Sequence, residues 1–410
     1  MNRTFALPKP PFRRTPSERR STTRPIAPPP VTVGPIPARR WSAEWDGGWV
    51  AGSWAEPSWT EASWTEASWT EQSGAASPLD SASPPLQIPL TVYGITEPTP
   101  GPRWKALFDA TWPAYRAWYL SEGESARPDL ATATAALARF MPELVPTYRR
   151  LVELAGGDDV AARMLTLWNA PAFLPACSQA VLTHPEPLLC RNYDYSPELW
   201  ERTVYTSAFT GRRVIGTGDC LWGLLDGMND AGLAVSLTFG GRPGSGPGFA
   251  IPLVVRYLLE VAGNAGEARE LLHGLPVAMS YNLTVVDATG EAFTAFVAPG
   301  QPAEFSAAPV ATNHHGLIPE YPEQARSLHS VPRLDALTEL VDRRPDADEL
   351  AAAFGTDPLY NRAYSKAFGT LYTALYRPAE GVVEYRWPDL TWRRGFDDQD
   401  QTRTVVLAGH

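Results

Sequence analysis

Cysteine is scarce in this sequence, because only Cys177, Cys190 and Cys220 occur among 410 residues. An odd and sparse set argues against a disulfide framework and is typical of a reducing compartment. The sequence has no apolar run of about 18 residues, and its N-terminus lacks the apolar core, roughly 7–15 residues long, of a signal peptide. We therefore expect a cytoplasmic protein without a membrane span.

Positive charge is also scarce outside the N-terminus. Residues 1–40 contain nine Arg or Lys and one acidic residue, Glu18, although the whole chain carries a net charge of −10. The remaining body is strongly acidic, which argues against nucleic acid as the main partner, since phosphate binding needs a basic face. Residues 1–40 are rich in Pro, Arg, Ser and Thr and are predicted to be disordered. Contact with an anionic surface is the alternative for this basic head.

Tryptophan recurs at intervals of five residues in the next segment, which from residue 58 reads SWTEA-SWTEA-SWTEQ. A period of five matches neither a helix nor a strand, so no regular element would gather these rings on one face. A low-complexity linker is one interpretation. A tandem docking motif for a protein partner is the other, because regularly spaced Trp side chains are costly to leave in water.

From residue 102 the pattern becomes helical. Aromatic and aliphatic residues recur at three and four positions, as in an amphipathic helix that we expect to be interrupted at Pro113. Further helices are predicted at about 129–141, 143–155 and 158–168, the last capped by Asp158. The two prolines of residues 169–176 predict an exposed, extended loop.

After Cys177 the pattern changes to short apolar or alternating runs, which are typical of strands. Two helices are predicted next, at 252–262 and after a capping box that begins at Asn264. Strands return near 279–297, helices near 327–354 and strands near 370–386. This order predicts an α+β arrangement of antiparallel sheets covered by helices. The sequence thus predicts a disordered Pro/Arg-rich tail that includes the Trp repeats (1–100), a helical segment (101–176) and a mixed domain of strands and helices (177–410).

The chemically informative residues begin with Cys177, which precedes Arg191 by fourteen residues and Asp194 by seventeen. Two adjacent strands of a hairpin could bring the three together. An Arg beside a thiol favours the thiolate, and the Asp could hold that Arg or anchor an amine. Spacing alone is weak evidence, because Cys is often a buried apolar filler and Arg–Asp pairs are often structural.

A family resemblance adds to this spacing. Cys177-Ser-Gln-Ala-Val, followed by Arg191-Asn-Tyr-Asp194 on the next strand, resembles the acyl-CoA:6-aminopenicillanic-acid acyltransferase family. The wider group includes choloylglycine hydrolases, penicillin V acylases and acid ceramidases. The likeness continues through Asp226-Gly-Met-Asn-Asp-Ala-Gly-Leu233, Ser280-Tyr-Asn-Leu-Thr-Val-Val-Asp-Ala-Thr-Gly290, Thr312-Asn-His314, Ser330-Val-Pro-Arg333 and Gly369-Thr-Leu-Tyr-Thr373. This ordered set covers nearly all of 177–390 and is more specific than any single segment.

The resemblance implies a four-layer αββα sandwich of the N-terminal-nucleophile type. In such proteins the precursor cleaves its own chain, here between Ala176 and Cys177, so that Cys becomes the new N-terminus. The resemblance thus implies that 101–176 is a pro-segment, the α chain, and that 177–410 is the catalytic β chain. The freed α-amino group, with a pKa of about 7.7–8.0, can then act as general base for its own thiol. Relatives often have Gly before the nucleophile, and Ala176 departs from that pattern.

The resemblance also implies roles for individual residues. Cys177 is the nucleophile, Arg191 and Asp194 flank it, and the Asn282 side chain helps to stabilise the oxyanion. One well-placed oxyanion donor contributes roughly 2.7–4 kcal/mol. Further oxyanion or substrate support is expected from three residues: Thr238, Asn313 and Arg333.

The remaining candidates favour structural roles. Cys190 stands where relatives usually have Gly and is expected to be a small buried residue, and Cys220 is expected to be structural as well. His314 and His315 are adjacent, so they point to opposite faces of a strand, and no acidic cluster completes a metal site. We therefore expect neither a metal nor an organic cofactor.

The sequence thus predicts a self-cleaving cysteine amidohydrolase or acyltransferase. It would act on a non-peptide or small-peptide linear amide through a thioester, with the two chains staying associated after cleavage. One alternative is a peptide or natural-product tailoring acyltransferase that uses the Trp repeats for docking. The other is a catalytically inactive scaffold of the same fold. The predicted partner is a small-molecule or peptide substrate with an amide or acyl group. We expect the protein to bind neither nucleic acid nor a membrane.

Overall fold

A computed structural model describes residues 86–172 and 175–409 of the chain. Within these ranges the strands form two sheets, of nine and six strands. The larger sheet contains nine strands: β1 (Leu86–Thr96), β4 (Thr203–Ser207), β5 (Val214–Asp219), β6 (Gly223–Asn229), β7 (Leu233–Phe239), β8 (Tyr281–Asp287), β9 (Ala292–Val297), β10 (Glu304–Ser306) and β15 (Gln401–Gly409). Their order is β10-β9-β8-β7-β6-β5-β4-β1-β15. All neighbours are antiparallel except β1 and β4, which are parallel.

The smaller sheet is antiparallel throughout and carries the predicted nucleophile. Its strands are β2 (Ala176–Leu182), β3 (Leu188–Tyr195), β11 (Val310–Ala311), β12 (Gly369–Arg377), β13 (Val382–Trp387) and β14 (Leu390–Gly395). They lie in the order β11-β2-β3-β12-β13-β14. β2 and β3 pair so that Cys177 lies opposite Tyr193, and Gln179 lies opposite Arg191.

Helices cover the outer faces of both sheets. Four of them lie in the second half of the chain: α5 (Ile251–Val261), α6 (Ala265–Leu272), α8 (Ser330–Asp342) and α9 (Ala347–Phe354), and the short α7 (Pro322–Ser327) precedes α8. α5 and α6 pack on the larger sheet, α8 and α9 pack on the smaller one, and β2 and β3 face β7 and β8. This is the predicted four-layer αββα sandwich, and the prediction is confirmed.

The alternation of side chains along β2 and β3 assigns each residue to one of two layers. Cys177 and Tyr193 face the core between the two sheets, whereas Ala180 and Cys190 face the layer of α8 and α9. Every residue of β2 is buried. The nucleophile candidate therefore lies inside the sandwich, and its neighbours along the strand point toward the helices.

The predicted helical segment is present as α1 (Pro102–Tyr119), α2 (Leu130–Phe140), α3 (Val145–Leu154) and α4 (Asp159–Leu165). Asp158 caps α4 as predicted, accepting the Ala161 N–H at 2.8 Å. The expected interruption at Pro113 is wrong, because α1 runs through that residue. Pro113 and Asp109 are both exposed, so water can satisfy the Asp109 carbonyl that the proline cannot bond. No helix of the described ranges is long and apolar enough to cross a membrane.

The boundary of the N-terminal tail needs correction. Residues 1–100 were expected to be disordered, yet β1 (Leu86–Thr96) lies inside the larger sheet between β15 and β4. Apolar side chains on both of its faces, including Val92 and Ile95, are buried. The basic head and the Trp repeats lie outside the described residues.

The segment before the nucleophile also differs from the prediction of an exposed loop. Ala170 and Ala176 are buried, and Asn169 exchanges two hydrogen bonds of 2.9 Å with Gly248. The Trp168 ring packs edge-on against Phe249 at 4.9 Å between centroids. These contacts tie the end of the helical segment to the residues that precede α5.

Candidate active site

Cys177 is the second residue of β2, and none of its surface is exposed. Arg191 reaches it from β3, two residues along from the opposing Tyr193. Its Nη2 donates a hydrogen bond to the Cys177 Sγ at 2.9 Å. The hairpin expected from the fourteen-residue spacing therefore brings these two side chains together. A guanidinium in this position stabilises a thiolate more than a thiol.

Arg191 is itself held by Asp226, a residue of β6 in the opposite sheet. The Arg191 Nη1 donates to the Asp226 Oδ2 at 2.7 Å and to the Leu225 carbonyl at 2.7 Å. Asp226 also accepts hydrogen bonds from the hydroxyls of Tyr372, at 2.6 Å, and Tyr376. The Arg191 and Asp226 side chains are both fully buried. Their lost hydration is therefore offset by the ion pair and by these hydrogen bonds rather than by water.

Burial dominates the ionisation of Cys177. Loss of hydration raises the pKa of its thiol to about 11, the Arg191 charge and hydrogen bond oppose this rise, and the Asp194 carboxylate adds to it. In the uncleaved chain the thiol is therefore protonated at neutral pH. Arg191 is the largest of the groups that favour the thiolate, so the reactivity of the sulfur depends on it.

The backbone of Cys177 is held by Asn313, which lies shortly after β11, and by Arg333 of α8. Its N–H donates to the Asn313 Oδ1 at 3.0 Å, and its carbonyl accepts from the Arg333 Nη1 at 2.8 Å. The Arg333 Nη2 donates to the same Asn313 oxygen at 2.6 Å. Cleavage before Cys177 would turn this nitrogen into an α-amino group with an acceptor already in place.

Asp194 faces the helical layer rather than the sulfur. It pairs with Arg333 of α8 at 3.2 Å and accepts the Thr370 hydroxyl at 2.7 Å. Burial raises the pKa of its carboxyl, and the Arg333 charge opposes the rise. The sequence left two roles open for Asp194: to hold Arg191 or to anchor an amine. The residue that holds Arg191 in the structure is Asp226, not Asp194. Asp194 lies instead with the groups that surround the Cys177 backbone.

Asn282 and Thr238 lie directly opposite each other on β8 and β7. The Asn282 Nδ2 donates to the carbonyls of Thr312 and His314, both at 2.9 Å, and the Thr238 hydroxyl donates to the same Thr312 carbonyl at 2.7 Å. Both side chains therefore bind residues 312–314, which hold Cys177 through Asn313. The buried Asn282 Oδ1 has no hydrogen-bond partner in the described part of the chain.

Sequence reasoning missed three residues of this site: Asp226, Tyr372 and Tyr376. Two of them stand in segments that carried the resemblance, since Asp226 opens the segment that ends at Leu233 and Tyr372 lies in Gly369-Thr-Leu-Tyr-Thr373. Tyr376 lies on the same strand as Tyr372, β12. Nothing in the local sequence indicates that the two tyrosines bind the Asp226 carboxylate, because they lie in the smaller sheet and Asp226 lies in the larger one.

The other candidates lie away from this centre. Cys190 packs in the apolar cluster under α8 and α9, and burial raises the pKa of its thiol. Cys220 is also buried. His314 is buried beside Ser330, whereas the His315 ring packs on Phe296. Among the residues described, no group of three or more His, Cys, Asp or Glu could hold a metal ion.

This combination of an αββα sandwich with a buried Cys–Arg pair at the start of an inner strand is consistent with an acyl-transfer enzyme. The sequence model of the acyl-coenzyme A:6-aminopenicillanic acid acyl-transferase family matches residues 181–392, just over half of the chain. The chain belongs to this family, and the predicted resemblance is confirmed. The match begins four residues after Cys177.

Solved structures were also compared. A mutant of conjugated bile acid hydrolase from Clostridium perfringens is 14% identical, with 56% of this chain and 96% of that chain covered and a TM-score of 0.39. Penicillin V acylase from Agrobacterium tumefaciens is 12% identical, over 53% and 84% of the two chains, with a TM-score of 0.37. The Caenorhabditis elegans ortholog of N-acylethanolamine-hydrolyzing acid amidase is 15% identical, over 53% and 98%, with a TM-score of 0.39. The comparison with curated proteins found no match.

Proposed function

We propose that this protein is a self-cleaving cysteine amidohydrolase or acyltransferase whose nucleophile is Cys177. The observation that carries the proposal is the 2.9 Å hydrogen bond from the Arg191 Nη2 to the Cys177 Sγ, in a chain of an acyl-transferase family. A buried thiol next to a fixed guanidinium is the arrangement that a cysteine nucleophile needs. A cysteine that served only as an apolar filler would not need a buried cation as its partner.

Self-cleavage is the first step of the proposed mechanism. The Cys177 Sγ attacks the carbonyl carbon of Ala176, and the sulfur's proton passes to the Cys177 nitrogen as the C–N bond breaks. The result is a thioester and a free α-amino group, and water then hydrolyses the thioester. Asn313 and Arg333 support this step, because they hold the nitrogen and the carbonyl of Cys177 at 3.0 and 2.8 Å.

Turnover then uses the same sulfur. The new α-amino group takes the thiol proton, and Arg191 stabilises the thiolate that attacks the substrate amide. The leaving amine receives that proton, and the acyl group stays on sulfur until water or an acceptor amine removes it. Asn282 is the proposed oxyanion donor, with Thr238 in support. In the uncleaved chain their donors are bound to residues 312–314, so this role requires that segment to shift after cleavage.

The proposal includes the substrate and partners expected from the sequence. The substrate is a linear, non-peptide or small-peptide amide, and no metal or organic cofactor takes part. The helical segment stays bound to the catalytic chain after cleavage. The cytoplasmic location and a protein partner for the Trp repeats stay predictions. A tailoring acyltransferase or an inactive scaffold remain the alternatives, and the scaffold predicts an uncleaved chain.

Intact-mass measurement of the purified protein tests the proposal. We expect a chain that starts at Cys177 and weighs roughly 26 kDa, at about 110 Da per residue. Cys177→Ala removes the sulfur and is expected to leave one full-length chain, whereas the control Cys190→Ala, which lies in the helical layer, is expected to cleave normally. If the Cys177→Ala variant is cleaved at the same bond, or if the native protein is not cleaved, Cys177 does not cut the chain.

A further inference from the structure

Tyr193 is the residue of β3 that lies directly opposite Cys177. None of its surface is exposed, and both side chains belong to the core between the two sheets. In an antiparallel pair the Cβ atoms of directly opposite residues are about 4.5–5.5 Å apart. The Tyr193 side chain is therefore a close neighbour of the nucleophile.

The Tyr193 ring lies against the guanidinium that binds the sulfur. The Arg191 Cζ lies over the ring at 5.1 Å from its centroid, a distance at which a cation and the negative face of an aromatic ring attract each other. Both side chains are fully buried, and without water around them this attraction is stronger than at a surface. The rings of Tyr372 and Tyr195 pack against Tyr193 at 5.5 and 5.8 Å between centroids. The Tyr193 ring is therefore itself held in place.

The hydrogen bonds of Arg191 anchor one end of its guanidinium more firmly than the other. Its Nη1 binds the Leu225 carbonyl and the Asp226 carboxylate, both at 2.7 Å, whereas its Nη2 binds the Cys177 sulfur. Its Nε has no hydrogen-bond partner within the part of the chain that the structure covers. A guanidinium anchored mainly at Nη1 can pivot about that atom, and a small pivot would carry Nη2 away from the sulfur. Contact with the Tyr193 ring opposes this movement.

The ring of Tyr193, rather than its hydroxyl, makes these contacts. The Tyr193 Oη is buried and has no hydrogen-bond partner in the described ranges. Burial is the main cause that raises the pKa of this phenol well above its ordinary value, and the Asp219 carboxylate adds to the rise, so the phenol is uncharged at neutral pH. A phenylalanine at this position would therefore keep the contact with Arg191.

We propose that Tyr193 is a positioning residue, whose ring keeps the Arg191 guanidinium against the Cys177 sulfur. The inference rests on the proposed function, because it concerns the reactivity of the proposed nucleophile. The other charged groups that act on this thiol are Asp194 and Arg333, which pair with each other on the side of α8. Substitution of Tyr193 leaves that pair in place, so a change in thiol reactivity reports on Arg191.

The pH profile of Cys177 alkylation in the cleaved protein tests this inference. The first tryptic peptide of the cleaved chain ends at Arg191, and in a Cys190→Ala background it contains no other cysteine, so its mass follows Cys177 alone. Tyr193→Met fills the space without an aromatic face. The midpoint of its profile is expected to rise by about 0.5–1 pH unit, and iodoacetamide labelling at neutral pH to slow about three- to tenfold, because each unit of thiol pKa leaves about tenfold less thiolate.

Two controls separate the Tyr193 ring from its hydroxyl and from its surroundings. Tyr193→Phe keeps the ring and is expected to match the native profile. Tyr195→Met removes a neighbouring ring that packs on Tyr193, and it is also expected to leave the profile unchanged. If Tyr193→Met does not fold or is not cleaved, 3,4,5-trifluorophenylalanine at position 193 is compared with Tyr193→Phe instead. Fluorine weakens the negative face of the ring and nearly preserves its size, so this profile should also shift upward.

The outcomes distinguish this inference from the function on which it rests. If the native protein is not cleaved, or if its Cys177 is not alkylated at any pH, the proposed function fails and the inference fails with it. If the native protein is cleaved and alkylated but the Met and trifluorophenylalanine proteins keep the native profile, the inference alone is overturned. It is also overturned if Tyr193→Phe or Tyr195→Met shifts the profile as far, since the hydroxyl or a general loosening of the cluster would then be the cause. An upward shift confined to the proteins whose ring face is lost or weakened supports it.

Discussion

Arg191 joins two residues that are far apart in the chain. One end of its guanidinium bonds the Cys177 sulfur, and the other bonds the Asp226 carboxylate of the facing sheet. Removing Arg191 takes away the strongest influence that lowers the pKa of the thiol, while the burial that raises it stays. The thiol pKa should therefore rise when Arg191 is lost.

Arg191→Ala tests this with the mature, cleaved protein. The rate of Cys177 alkylation by iodoacetamide at neutral pH is expected to fall, and the midpoint of its pH profile to move upward, because less thiolate is present. Arg326→Ala, whose side chain is 71% exposed, is a matched control and should not change the profile. Unchanged labelling in the Arg191 variant would show that this residue is structural.

The Asp226 carboxylate also affects the stability of the fold, which can be measured separately from the reactivity of Cys177. Asp226→Asn keeps the shape of the side chain but leaves the Arg191 charge buried without its counter-ion, which costs about 3–5 kcal/mol in comparable buried pairs. The free energy of unfolding in urea should fall by that amount, measured in a Cys177→Ala background so that every variant is a single chain. The control is Asp397→Asn, because that carboxylate is 96% exposed. Equal losses in the two variants would contradict the buried-pair argument.

At the scale of elements, β1 changes the expected role of the N-terminal region. It pairs with β15 over residues 86–94 and with β4 over residues 93–96, so it completes the larger sheet. Side chains such as Val92 and Ile95 are almost fully buried, and each contributes about 1.5–3 kcal/mol. Removal of β1 would also expose the backbone of β4 and β15.

Two deletions show whether folding and cleavage need the N-terminal tail (1–85) or the strand β1. Deleting residues 1–85 is expected to leave a protein that stays in solution and still cleaves before Cys177. Deleting residues 1–95 removes nearly all of β1, so we expect aggregation and loss of cleavage. Centrifugation followed by intact-mass analysis distinguishes the two. If the shorter deletion also aggregates, the Trp repeats or basic head are needed for folding; if the longer one folds, β1 is dispensable.

At the scale of the whole molecule, the parts of the chain on either side of the proposed cleavage bond share one core. The helical segment places Trp104 and Tyr115 in the same buried cluster as Cys177, and β1 lies in the sheet formed by the later strands. Ala176 and Cys177, which flank the proposed cleavage bond, are both buried in this core, and the contacts named above do not involve that bond.

We therefore expect the chains to co-elute as one species in size-exclusion chromatography after complete cleavage. They should separate only in denaturant, because the burial that holds them together is lost there. The uncleaved Cys177→Ala protein provides the reference elution volume. Elution of the catalytic chain alone under native conditions would contradict the shared core.

Local patterns were sufficient for much of this architecture. The 3.6-residue periodicity predicted the helices between 102 and 170. The Cys177–Arg191 spacing allowed a hairpin that brings the two side chains together, and the family resemblance singled out this pair. The patterns were insufficient where a distant partner decides the outcome. β1 is ordered because β4 and β15 pair with it. The helix continues through Pro113 because that turn faces water.

The sequence by itself determined the layered α+β class, the family and the identity of the nucleophile candidate, because these depend on periodicity and on motifs in order along the chain. Only the tertiary structure decided that Asp226 holds Arg191, that Asp194 binds Arg333 instead, and that Asn282 and Thr238 bind residues 312–314. Each of these contacts joins groups that are at least 30 residues apart in the chain. Such contacts depend on how the sheets and helices pack against each other, and local sequence patterns do not predict that packing.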